Sequence, residues 1–316
     1  MTTIDITTTT TLTTTTRPAM SGCFTALITP FRNGLIDEIA LRALVERQIA
    51  GGVSGLVPCG TTGEAPSLTT SEWDRVVSTV IETANGRVPV IAGTGSNGTA
   101  TTIERTLRAQ ELGADAALIV TPYYNKPTQE GLYRHFAAVT EATDLPIVLY
   151  NVPGRTGVNM LPETAIRLAA LPTIVAIKEA SGSLDQASQI VLEGPRDFAV
   201  LSGDDSLTLP IMGVGGTGII SVVSNIVPEA VSALTTACLA GDYATARALH
   251  LALFDLCRAM FVETNPVPVK AASALLGYTT AEVRLPLAPL SEAAQRRVEL
   301  ALRAWQETAT ITEIAA

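Results

Sequence analysis

Short apolar runs recur along this chain at intervals of roughly thirty residues, each followed by a stretch of helical periodicity. The runs are apolar throughout rather than alternating, the pattern of parallel strands covered on both faces. They predict strands at 24–29, 55–59, 88–92, 116–120, 147–151, 174–179, 198–202 and 218–221. The stretches between them predict helices at 38–50, 71–85, 99–112, 129–143, 162–171, 184–192, 206–212 and 228–239. Thr70 and Ser71 offer hydroxyl caps ahead of Glu72, and Pro162 suits a first helical turn. Eight strand–helix units predict an α/β fold, a (β/α)8 TIM barrel. The competing doubly wound sheet needs a phosphate fingerprint, and G-x-G-x-x-G occurs at 93–98 and 213–218. The first follows the third strand and the second precedes a strand, so both read as close-packed turns.

The barrel catalytic domain is expected over residues 21–241. A C-terminal helical domain is expected over 242–316, with helices at 242–262, 268–276 and 291–308 and apolar faces suited to oligomerisation. Residues 1–20 are threonine-rich without apolar periodicity and are expected to be a disordered tail. They lack the basic start and apolar stretch of a secretory signal, and Arg17 alone is too little arginine for a transit peptide.

Composition narrows the function classes. Among 316 residues 47% are apolar, enough for a large core, yet no run is long enough to span a bilayer, so no membrane partner is expected. The net charge of −9 with no basic stripe argues against nucleic acid. Cys23, Cys59, Cys238 and Cys257 are scattered in apolar contexts without a C-x-x-C, which suggests reduced thiols in a cytoplasmic protein. The two histidines, His135 and His250, form no tight ligand motif, so neither a metal site nor a Ser-His-Asp hydrolase is expected.

The candidate chemistry lies at strand ends, the functional face of a barrel. Lys178 closes the apolar run Thr173, Ile174, Val175, Ala176, Ile177. Burial disfavours a lysine's charged form, and a neutral amine attacks carbonyl carbon. Taken alone, such a lysine reads as one that snorkels into water. Two neighbours change that reading. Tyr150 ends the fifth predicted strand and, at a strand spacing of about 4.8 Å, stands beside Lys178 within hydrogen-bond reach. Gly60, Thr61, Thr62 and Gly63 follow the second strand and offer hydroxyls and amides to a carboxylate. Arg155, in a Pro/Gly loop on the same face, suits a bidentate grip on a second carboxylate. Together these are the parts of an enzyme that forms a Schiff base with a 2-oxo acid.

The segments Gly60-Thr61-Thr62-Gly63-Glu64, Val120-Thr121-Pro122-Tyr123-Tyr124, Tyr150-Asn151-Val152-Pro153-Gly154-Arg155-Thr156 and Ile177-Lys178-Glu179-Ala180 resemble the dihydrodipicolinate synthase family. Gly203-Asp204-Asp205 and Asn265-Pro266-Val267-Pro268-Val269-Lys270 fit as well, so the likeness runs from about Cys23 to Trp305. The resemblance implies a lyase of the diaminopimelate route to lysine, condensing pyruvate with L-aspartate 4-semialdehyde. It implies a pyruvate Schiff base on Lys178 and a proton relay of Thr61, Tyr124 and Tyr150, with Tyr124 reaching in from a neighbouring subunit. Thr61 and Thr62 would hold the pyruvate carboxylate, Arg155 that of the semialdehyde, with Gly203 and Ile220 lining the pocket. No cofactor is implied, and the assembly would be a homotetramer built as a dimer of dimers. The sibling reading is another pyruvate-dependent aldolase, N-acetylneuraminate lyase or a 2-keto-3-deoxy sugar acid aldolase. Lysine-sensitive members carry a feedback site whose positions here are Ala65, Pro66, Thr70, Trp73, Asn97, Thr101 and Tyr123. Thr101 replaces a ligand-pairing glutamate, so lysine inhibition is expected to be weak or absent.

Overall fold

In the computed structural model, which describes residues 19–314, the apolar runs form one eight-stranded parallel sheet. Its strands are β1 (Gly22–Ala26), β2 (Gly55–Val57), β3 (Ile91–Gly93), β4 (Ala116–Val120), β5 (Ile147–Asn151), β6 (Ile174–Glu179), β7 (Ala199–Ser202) and β8 (Gly218–Ser221). Each pairs with its sequence neighbours, and β1 pairs with β8. β2 and β3 meet through the Leu56–Val90 bridge and through bonds from Leu56 N to Pro89 O and from Gly93 N to Pro58 O, both 2.9 Å. The barrel is therefore closed.

The helices are α1 (Glu38–Ala50), α2 (Thr70–Ala84), α3 (Thr99–Leu112), α4 (Gln129–Ala142), α5 (Pro162–Ala169), α6 (Leu184–Glu193), α7 (Thr208–Gly213) and α8 (Pro228–Leu239). Three more follow: α9 (Tyr243–Ala259), α10 (Val267–Leu275) and α11 (Glu292–Ile314). Thr69, rather than Thr70, caps α2 through a reciprocal capping box with Glu72. The expected tail at 1–20 lies outside the described residues as far as position 18. Among the described residues no helix is long and apolar enough to cross a membrane.

Departures from the expected boundaries have local causes. β1 starts two residues before its apolar run and ends three before that run does, where Ile28 N leaves the ladder for Asn225 Oδ1, 3.1 Å away. β2 stops at Val57 because Pro58 has no N–H and Cys59 turns left-handed, φ 56°. A side chain at Gly93 would strike the Cys59 carbonyl, which is why β3 ends on glycine. A small antiparallel hairpin, Phe31–Arg32 with Leu35–Ile36, lies between β1 and α1.

The two-residue period of the strands divides the core. Ile147, Leu149 and Ile177 face outward to the helices, while Val148, Tyr150 and Ala176 fill the barrel interior with Phe24, Leu118, Leu201 and Ile220. Lys178 shares the parity of Ala176 and therefore rises inside the barrel mouth beside Tyr150.

Candidate active site

Tyr150 and Lys178 are register partners in the β5–β6 ladder. Both are buried, at 6% and 4% exposure, and the Lys178 Nζ lies 4.4 Å from the centroid of the Tyr150 ring. The contact is cation-to-ring, with the ammonium over the phenol face. Gly203, past the end of β7, completes the pocket: a Cβ there would lie 3.1 Å from Lys178 Cε and 2.5 Å from the Ala180 Cβ. Glycine at 203 thus leaves the lysine its position. Ile220 is fully buried in the same interior cluster.

The loop after β2 is bounded by two left-handed residues, Cys59 and Glu64. Its amides at Gly63 and Glu64 are used in the turn, donating to Gly60 O and Thr61 O. The Thr61 and Thr62 amides and the half-buried Thr61 hydroxyl have no partner among the described residues. They are the donors left for an anion. Thr62 is buried, and its Oγ1 accepts from Asn265 Nδ2 at 3.0 Å.

Asn265 is a hub that reading the chain in sequence order missed. Its carbonyl also accepts from Arg155 Nη2 at 3.1 Å, so one residue ties the threonine loop to the exposed arginine. Its own Oδ1 is buried without a partner among the described residues. Arg155 rides on a single helical turn, Pro153–Thr156, whose proline opens the turn and whose Gly157 closes it at φ 74°. The second unanticipated element is the ion pair of Glu64 with Lys270, 2.6 Å apart at 1% and 0% side-chain exposure. Lys270 Nζ also donates to Thr29 O at 2.9 Å, and Thr29 Oγ1 donates to Gly63 O at 2.8 Å. Burial pushes the Lys270 ammonium below its ordinary range, opposed by the Glu64 charge beside it. The signal was present in the sequence: a lone acid after a turn and a lone base inside the apolar Val267–Leu275.

Two carboxylates, Asp204 and Asp205, follow β7 directly after Gly203. Asp205 is buried and accepts from Ser221 Oγ at 2.5 Å, Val222 N at 3.0 Å and Val223 N at 3.3 Å. Asp204 is half-buried, and no hydrogen bond among the described residues reaches its carboxylate. Burial raises the pKa of both carboxyls; at Asp204 the Lys178 charge opposes the rise, and at Asp205 the bonds from Ser221, Val222 and Val223 oppose it more than the Lys178 charge does.

Other expected residues lie apart from this centre. Tyr124 is 88% exposed at φ 73°, with its amide on Thr156 O, and no hydrogen bond among the described residues joins it to Tyr150 or Thr61. Among the positions matched to a feedback site, Trp73 Nε1 bonds Gly93 O and Asn97 O accepts from Asn125 Nδ2. Thr101 is exposed on the first turn of α3, and Tyr123 is half-buried.

The fold and its strand-end cluster define a (β/α)8 barrel with a lysine-centred site at its mouth. Residues 19–305 match the Dihydrodipicolinate synthetase family. The chain is 59% identical to 4-hydroxy-tetrahydrodipicolinate synthase of Thermomicrobium roseum over 92% of its own length and 97% of that protein's. It is 60% identical to the enzyme of the same name from Citrifermentans bemidjiense, over 86% and 94%. The solved 4-hydroxy-tetrahydrodipicolinate synthase of Methylacidiphilum fumariolicum superposes with a TM-score of 0.92 at 47% identity, covering 93% of this chain and 98% of that one. Dihydrodipicolinate synthase from Thermotoga maritima superposes at 0.90 with 45% identity, over 91% and 99%. The chain belongs to the dihydrodipicolinate synthetase family.

Proposed function

We propose that this chain condenses pyruvate with L-aspartate 4-semialdehyde through a Schiff base on Lys178, the reaction of 4-hydroxy-tetrahydrodipicolinate synthase in the diaminopimelate route to lysine. The observation that supports it most is the buried Lys178 in register with Tyr150 inside the barrel mouth. Pyruvate's carboxylate docks on the Thr61 and Thr62 amides and the Thr61 hydroxyl. The Lys178 amine adds to the carbonyl carbon, and water leaves to give an iminium. Tyr150 and Thr61 relay the protons of these steps, with Tyr124 supplied by a second copy in a homotetramer, which accounts for a tyrosine so exposed in one chain. Loss of a methyl proton gives the enamine, whose carbon attacks the aldehyde while Arg155 holds the second carboxylate. The semialdehyde's amine then adds to the imine carbon, closes the ring and releases Lys178. The sequence calls for no cofactor, since the lysine supplies the electron sink.

The test is borohydride trapping with pyruvate followed by peptide mapping, then turnover with L-aspartate 4-semialdehyde, N-acetylmannosamine and glyceraldehyde. The expected result is a pyruvate adduct on Lys178, turnover with the semialdehyde alone, and a folded but inactive Lys178→Ala. An active Lys178→Ala overturns the Schiff-base chemistry; turnover with a sugar aldehyde overturns the choice of second substrate.

A further inference from the structure

Behind the Tyr150–Lys178 pair, on the outer face of the sheet, lies a buried polar cluster that the proposed mechanism does not use. Asn151 and Glu179 are the next register partners in the β5–β6 ladder, with the outward parity of Leu149 and Ile177, and both are buried. Glu179 Oε2 accepts from Asn151 Nδ2 at 3.1 Å and from Gln186 Nε2, on α6, at 2.9 Å. Its Oε1 accepts from Ser181 N at 2.6 Å. The donors that reach this carboxylate among the described residues are neutral amides, so hydrogen bonds hold its charge out of water.

The cluster fastens the loop that carries Arg155. That loop leaves β5 at Asn151 and enters α5 at Pro162. Asn151 Oδ1 accepts from Met160 N at 2.9 Å, and Asn151 Nδ2 donates to Asn159 Oδ1 at 2.8 Å, so the side chain at the loop's start grips its end. Asn159 Nδ2 donates to Gln186 Oε1 at 2.9 Å, and Gln186 Nε2 to Met160 O at 3.2 Å. Lys178 has a strand ladder on either side, to Tyr150 and to Leu201. The exposed Arg155 has none and depends on this clasp for its place on the barrel.

The donors also fix which residue suits position 179. The Met160 amide can only donate, so Asn151 must turn its oxygen there and its N–H2 to position 179. A carboxylate accepts that N–H2 and the Ser181 amide at once. A glutamine would set its own N–H2 against the Ser181 amide in one orientation and against Asn151 in the other.

We propose that Glu179 is a positioning residue: by orienting Asn151 it closes the loop and presets Arg155 for the carboxylate of the second substrate. This inference rests on the role given to Arg155 in the proposed function.

The test compares Glu179→Gln and Asn159→Ala, each alone and combined with Arg155→Ala. Asn159 is half-buried, so its truncation opens the clasp without setting amide against amide, and its outcomes decide the question if Glu179→Gln does not fold. The readouts are borohydride trapping of pyruvate, and kcat and KM for L-aspartate 4-semialdehyde. Each single variant is expected to raise that KM about tenfold, as the grip on the carboxylate loses its preorganisation. Pyruvate trapping should be unchanged, which also shows a folded site. Because the effect runs through the arginine, neither change should move kcat/KM by more than about twofold in the Arg155→Ala background. An unchanged KM in the single variants overturns the inference. So does a loss that persists in full without Arg155, or weakened pyruvate trapping, which would assign Glu179 to Lys178 instead. A wild type that traps no pyruvate, or an Arg155→Ala protein with wild-type kcat/KM, overturns the proposed function and this inference with it.

Discussion

Replacing Lys270 by Met should unsettle the threonine loop from a distance. Lys270 Nζ sits 2.6 Å from Glu64 Oε1, 2.9 Å from Thr29 O and 4.2 Å from the centroid of the Phe31 ring. Its loss leaves the Glu64 carboxylate buried with one remaining donor among the described residues, Arg284 N at 3.0 Å. Removing one partner of a buried pair costs about 3–5 kcal/mol, because a charge is stranded out of water. That is a large share of the 5–15 kcal/mol typical of folded proteins. Glu64→Gln alone should cost a comparable amount by stranding Lys270. The double variant, Lys270→Met with Glu64→Gln, strands no charge and keeps an acceptor for Arg284 N, so it should cost less than either single change. Urea unfolding followed by circular dichroism gives the three values and their coupling. Because Thr29 bridges Lys270 to Gly63, KM for pyruvate should also rise in the single variants while Lys178 still traps pyruvate at saturation. A single variant within about 1 kcal/mol of wild type, or strictly additive costs, would refute the reasoning.

Gly203→Ala should lower kcat by roughly 10² with little loss of helical signal, since a Cβ at 3.1 Å from Lys178 Cε forces the amine off its line of attack; wild-type turnover would contradict this. Burial pushes the His135 imidazole down to about 4, with Nδ1 on Thr99 Oγ1 at 2.9 Å. The unfolded chain therefore binds the extra proton first. Stability should be full above about pH 6.5 and should fall by roughly 3 kcal/mol as pH drops to about 4. Urea midpoints across that range should lose this slope in His135→Gln, and an unaltered slope would exclude His135 as its source. With Thr101 exposed and uncharged on α3, lysine should leave turnover unchanged at sub-millimolar concentration. Thr101→Glu should then gain about ten- to hundredfold in lysine affinity, whereas strong inhibition of wild type would refute the assignment.

The barrel was legible in the sequence because its information is local. Unbroken apolar runs mark strands covered on both faces, and the helices between them leave one parallel arrangement that closes. Lys178 was legible for the same reason, as a charge ending a run that must be buried, and the strand order put Tyr150 next to it. What stands across the barrel mouth has no periodicity to announce it. Thr62 meets Asn265 over a separation of 203 residues, and Glu64 meets Lys270 over 206. The motif around Asn265 was visible as a string of letters, but its role as the link between Thr62 and Arg155 depends on where the C-terminal helices land. Likewise, Asp204 and Asp205 are identical neighbours in the sequence. Only the fold gives one of them three donors and leaves the other's carboxylate without a hydrogen bond among the described residues, because hydrogen-bond partners are set by packing between distant segments rather than by the residue's own type.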